Sequence, residues 1–174
     1  DLLAGGQERA GEEYFQAGMD TEIEASVRTA LDVLARAGAK LVPVSLPHTK
    51  YAVATYYVLC PSEVSSNMAR YDGIRFGHSV EGAKTLTEYY ERVRSEGFGP
   101  EVKRRIMLGT FALSAGYYDA YYRQAQKVRT LIQHDFADAF QKVDVIISPT
   151  SPTPAYTVGA HGGDPVAMYL EDIF

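Results

Sequence analysis

The stretch from Thr21 to Ser45 constrains the fold most. Thr21-Glu22-Ile23-Glu24 has the form of a capping box, a hydroxyl followed three residues later by a carboxylate. Ile23, Val27, Ala30, Leu31 and Leu34 then recur at the spacing that lines one side of a helix. Gly38 supplies the residue that ends it. Lys40-Leu41-Val42-Pro43-Val44-Ser45 reads as a short strand, and Pro43, which cannot donate to a ladder, places it near an edge or an end. Helix, glycine turn and strand make an α/β unit. A second strand of buried type is Asp144-Val145-Ile146-Ile147-Ser148-Pro149. The expectation is an α/β fold in which Ile23, Val27, Leu31, Leu34, Val42, Val44, Val145, Ile146 and Ile147 share one core.

The remaining segments are mostly helical. Residues 1–19 are Gly-rich and poorly patterned, a loop-like lead-in. Residues 50–70 read as helix interrupted at Pro61. Asp72-Gly73 and Phe76-Gly77 are turn chemistry. Leu86 to Arg94 is a charged helix ended by Gly97 and Gly99, and Pro100 sits where a first helical turn tolerates it. One helix runs from there to about Leu113, and after Ala115-Gly116 another runs to about Val143. The Pro-rich loop 149–154 leaves a strand end, where open α/β sheets place ligands. A further helix begins within 165–174.

Composition narrows the function classes. A chain of 174 residues with 46% hydrophobic and 22% charged residues suits one globular domain. A net charge of −5 gives no general attraction for nucleic acid. The lone Cys60 excludes an intrachain disulfide and any multi-Cys metal site, and fits a reducing cytoplasm. No apolar run approaches membrane-spanning length. There is no Gly-Ser-rich elbow, no HExxH and no Walker or dinucleotide loop. The first residues lack an initiator Met and a signal-peptide pattern, and both ends read as cuts in a longer chain.

Arg105 opens an otherwise apolar stretch, Ile106 to Leu113, and shares a helix face with Gly109 and Ala112. A planar fork of donors beside small residues suits a docked carboxylate. The plainer alternative is an arginine paired with Glu101, four residues back. Ser65-Ser66 has no base or elbow nearby, so a nucleophile is not expected there. His48, His78, His134 and His161 share no ligand spacing. The tyrosines around Asp119 could line a stacking or sugar-binding surface, but a core stripe with hydroxyls at its rim is the simpler reading.

Three runs carry a resemblance. They are Glu63-Val64-Ser65-Ser66-Asn67-Met68-Ala69-Arg70-Tyr71-Asp72-Gly73, preceded by Tyr56-Tyr57; Gly97-Phe98-Gly99-Pro100-Glu101-Val102-Lys103-Arg104-Arg105-Ile106; and Gly116-Tyr117-Tyr118-Asp119-Ala120-Tyr121-Tyr122. Over roughly residues 12 to 174 the chain resembles the amidase signature family, and within it the glutaminase subunits of tRNA-dependent amidotransferases. The resemblance implies an α/β/α sandwich, of which these residues form a single partial C-terminal domain, helix-rich with a few strands of a mixed central sheet. It implies glutamine hydrolysis by a Ser–cis-Ser–Lys triad, which precedes this region in the family and is absent here. The ammonia passes to a B subunit, which uses ATP and Mg and alone meets the tRNA; a C subunit completes the assembly, in the cytoplasm. No cofactor is implied for this chain itself, and no membrane. By motif, Tyr56, Arg105 and Asp172 correspond to the family's glutamine-binding residues, with Arg105 on the α-carboxylate, Asp172 on the α-ammonium and Tyr56 as hydrogen-bond partner or wall. Tyr57 is the neighbouring register. The alternative, from another class, is a stand-alone non-catalytic α/β binding or scaffold protein derived from an amidase.

Overall fold

The computed structural model describes residues 12–15, 19–155, 157 and 158. Among them are five α-helices: α1 Thr21–Arg36, α2 Ala52–Met68, α3 Leu86–Gly97, α4 Pro100–Leu113 and α5 Tyr122–Ala139. No strand occurs among the described residues. The chain divides into two compact units, one made of 1–53 with 128–174 and one of 54–127.

In the first unit, the cap of α1 lies one residue earlier than the capping box suggests. Asp20, not Thr21, is the N-cap, and its Oδ1 accepts from the N–H groups of Glu22 (2.8 Å) and Ile23 (3.4 Å). Glu24 pairs instead with Arg28 one turn on, Nε to Oε1 at 2.7 Å. The far end closes as expected. Gly38 has φ +102°, the N–H of Ala39 reaches Leu34 O and that of Gly38 reaches Ala35 O, both at 3.0 Å, which makes a Schellman-like cap.

The expected shared core does not form. No residue of α1 is buried, and Leu34 is exposed. Val145 is 69% exposed and Ile147 is exposed as well. The buried cluster is Val44, Leu46 and Ala139, packed by Tyr14, Phe136, Val143 and Ile146. Residues 40–45 and 144–149 are not strands here. The physical reason is that a strand exists by pairing, and neither segment has a ladder partner among the described residues. The alternation survives without the ladder: Val44 and Leu46 are buried, while Leu41, Pro43, Ser45 and Pro47 are exposed.

Two side chains stitch this unit. Glu13 Oε1 accepts from the Ser45 hydroxyl (2.7 Å) and the Leu46 N–H (2.8 Å). Asp135, on α5, accepts the His48 N–H at Oδ2 and meets His48 Nδ1 at Oδ1, both at 2.8 Å. The Pro-rich loop is tied to the start of α1 as well, since Pro152 O accepts the Asp20 N–H at 2.8 Å.

In the second unit, α2 runs unbroken through Pro61. The Ser62 hydroxyl bonds Val58 O at 2.7 Å beside the ring. Pro61 is fully buried, and Gly109 of α4 lies against it. A Cβ at position 109 would fall 1.8 Å from Pro61 O and 2.8 Å from Ser65 Cβ, so the two helices meet backbone to backbone. The missing side chain lets that contact form, and burial in it holds the proline-bearing helix together.

The loop before α3 turns on Asp72, whose Oδ1 accepts from the N–H groups of Ile74 (2.9 Å) and Arg75 (3.0 Å). Thr85 caps α3 through the Glu88 N–H at 3.1 Å, and Glu88 reaches back to the Lys84 N–H at 2.8 Å. After α4 the chain turns through Gly116 (φ +89°), and α5 starts at Tyr122, later than the expected start after Gly116. Among the described residues no helix is long and apolar enough to cross a membrane.

Candidate functional site

Arg105 stands in the second turn of α4, on the face that crosses α2. Gly109 and Ala112, further along that face, are both buried. The space beside Gly109 is filled by Pro61 and Ser65 of α2, which corrects the expectation that it leaves room for a ligand. Ser65 Oγ lies 2.9 Å from Thr110 Oγ1 in the same crossing, which gives that hydroxyl a structural partner rather than a base.

What the crossing does is bring Arg105 to two tyrosines that lie about fifty positions away in the chain. Arg105 Nη1 donates to the Tyr56 hydroxyl at 3.1 Å. Its Nε donates to Glu101 Oε1 at 3.0 Å, the pairing one turn back that the sequence offers as the plainer alternative. The guanidinium carbon lies 5.9 Å from the centre of the Tyr57 ring, within cation–π range. Tyr56 and Tyr57 meet edge to face with centroids 5.0 Å apart. Glu101 also pairs with Arg104, so two guanidinium groups share one carboxylate and the local charge stays positive. The Arg105 side chain is 22% exposed.

The electrostatics follow from these contacts. The Glu101 carboxylate, helped by Tyr56 and opposed by burial, holds the Arg105 guanidinium above its ordinary value. The Tyr56 hydroxyl is pushed up, chiefly by a hydrogen bond with Cys60 one turn on; Arg105 pulls the other way and burial adds to the rise. Tyr56 is therefore a neutral phenol near pH 7 and Arg105 a fixed cation. This arrangement can orient a guanidinium to bind an anion.

Asp172, the third residue assigned by resemblance, lies outside the described residues. The tyrosine cluster is not a core stripe. Tyr117, Tyr118 and Tyr121 are exposed, Phe111 lies 4.3 Å from Tyr117, and Tyr118 stacks on Tyr122 at 5.2 Å. Asp119 is ion-paired with Arg123 at 3.1 Å. Among the described residues no three His, Cys, Asp or Glu side chains cluster as metal ligands. Sequence reasoning misses the His48–Asp135 pair, because nothing in local spacing links residues 87 positions apart.

Similarity to known proteins agrees with the resemblance. The chain is 60% identical over 162 residues to the A subunit of the glutamyl-tRNA(Gln) amidotransferase of Koribacter versatilis, covering 93% of this chain and 34% of that protein. It is 62% identical, also over 162 residues, to the protein of the same name from Myxococcus xanthus, covering 93% of this chain and 33% of that one. The chain thus spans about a third of the length of these curated relatives. The crystal structure of the corresponding protein from Thermotoga maritima superposes with a TM-score of 0.63 at 38% identity, covering 96% of this chain and 32% of that one. The amidase family model matches residues 11–174, nearly the whole chain, which is therefore a member of the amidase family.

Proposed function

We propose that this chain is the glutamine-holding part of the glutaminase subunit of a tRNA-dependent amidotransferase. In this reading glutamine is hydrolysed to release ammonia, which converts Glu-tRNA(Gln) to Gln-tRNA(Gln) on the B subunit. The B subunit uses ATP and Mg and meets the tRNA, a C subunit completes a heterotrimer, and the complex works in the cytoplasm. Arg105 takes the α-carboxylate, Tyr56 orients Arg105 or the ligand, and Asp172 takes the α-ammonium. The Ser-Ser-Lys triad lies in the remainder of the protein, so this chain alone does not hydrolyse glutamine. The segments 40–45 and 144–149 become strands of a mixed central sheet completed by that remainder.

The observation that supports this most is the Arg105–Tyr56 contact. Two residues named together from separate motifs meet at 3.1 Å, on a half-buried guanidinium. A carboxylate on such a fork makes two parallel charge-assisted bonds, worth a few kcal/mol when water is excluded.

The test uses the full-length protein in complex with its partners, assayed with glutamine or ammonium as nitrogen donor. Arg105→Ala is expected to lower kcat/KM for glutamine about a hundredfold, and to leave the ammonium-driven reaction in place. Arg105→Lys is expected to rescue little, because a point charge does not reproduce the fork. Equal loss with both donors means that Arg105 is structural and the reading is wrong.

A further inference from the structure

We propose that Glu101 is a positioning residue for the Arg105 guanidinium, fixing which edge of the fork meets the ligand carboxylate. This rests on the reading of Arg105 given above. A guanidinium offers a carboxylate two planar edges, the side edge containing Nε and the end edge formed by Nη1 and Nη2. Glu101 Oε1 takes Nε at 3.0 Å, so the protein's own carboxylate occupies the side edge. Tyr56 meets Nη1 at 3.1 Å and the Tyr57 ring lies 5.9 Å from the guanidinium carbon. Together these contacts set both the position of the group and the plane in which it lies. A ligand carboxylate is thereby kept off the side edge.

Two further features suit this role. Glu101 is one turn before Arg105 on α4, so both side chains rise from one rigid helix, begun by Pro100. Glu101 also pairs with Arg104. The second guanidinium offsets the acid's charge, so an acid beside the fork does not repel an incoming carboxylate. Without Glu101, Arg105 regains rotamers that must be ordered at the moment of binding, a cost that appears in affinity rather than in turnover.

The experiment is done on the full-length protein in its complex, with glutamine KM and kcat measured separately and glutamine binding followed by calorimetry. Glu101→Ala is expected to raise glutamine KM and Kd about fivefold or more, with kcat within about twofold. Glu101→Asp, which keeps the charge but withdraws it by one methylene, is expected to show most of the same loss. Glu101→Gln, whose amide oxygen still accepts from Nε, is expected to return KM close to the parent value. A merely structural acid would lower kcat and thermal stability in step, with no rescue by Gln. Unchanged KM in both Ala and Asp variants, tighter binding in either, or Gln no better than Ala overturns the proposal. The Arg105→Ala variant separates the two levels. If Arg105→Ala leaves glutamine binding intact, the underlying reading fails; if it abolishes binding while the Glu101 series is flat, only the positioning role fails.

Discussion

The Glu13 carboxylate is met by two donors, the Ser45 hydroxyl at 2.7 Å and the Leu46 N–H at 2.8 Å, and Leu46 is fully buried. Burial would raise the pKa of this acid, and the nearby Asp135 adds to that, but the hydrogen bonds outweigh both and hold it below the ordinary carboxylate value. A group whose folded pKa is lowered contributes stability that is whole above its unfolded pKa and is lost as pH falls through the folded one. The full-length protein should therefore lose melting temperature as pH drops below roughly 4.3. Glu13→Gln should lower the midpoint at neutral pH and flatten that part of the profile. Parallel profiles for the two proteins would show that Glu13 contributes nothing through its charge. Such a contact is not legible in a lead-in that reads as loop, because a lone acid thirty positions from its partners leaves no periodic trace. Arg105 is legible for the opposite reason: a fixed cation heading an apolar stretch needs partners, and Glu101 at i−4 is visible without coordinates.

At the scale of elements, the helices are legible in the sequence and their joints less so. Apolar spacing, Gly38 and Pro100 locate α1 and α4 closely. The capping signature points to Thr21, yet Asp20 does the capping there, and the Thr-x-x-Glu pattern works at Thr85 and Glu88 instead. Competing oxygens one residue apart cannot be ranked without the backbone. Pro61 reads as a break because its local cost is real, but a tertiary contact overrides it, namely the seat against Gly109. That contact gives a sharp expectation. In an isolated helix, Gly109→Ala would gain about 1 kcal/mol from propensity. Here the added methyl would meet Pro61 O at 1.8 Å, an overlap with backbone that no rotamer relieves. The net effect should be destabilisation by at least about 2 kcal/mol. Because α4 must also move away from α2, glutamine KM should rise through the lost Arg105–Tyr56 contact. Denaturant titration with a kinetic assay checks both; a neutral or stabilised Gly109→Ala would show that the helices do not cross at this distance.

At the scale of the whole molecule, the expected sheet is not formed among the described residues of a chain that spans about a third of its relatives' length. Segments 40–45 and 144–149 have β-branched composition, and the first keeps its alternation, with Val44 and Leu46 inward. A ladder needs two sequences, and periodicity in one segment cannot say where its partner lies. Val145, in a run composed like a buried strand, is 69% exposed among the described residues, where a valine in a paired buried strand is ordinarily covered on both sides. If the remainder of the protein supplies the missing strands, backbone amides at Val42, Val44, Val145 and Ile147 should be protected in the full-length protein. Exchange slowed by about a thousandfold or more over an open chain would be ordinary for paired strands, since local opening then approaches the global free energy. In the 174-residue chain the same amides should exchange within minutes, while those in the middle of α4 remain protected by their helical bonds. Hydrogen–deuterium exchange read by peptide mass on both lengths decides the matter. Equal, rapid exchange of the two segments in both lengths would mean that they are loops in the complete protein, and the mixed sheet would have to be built without them.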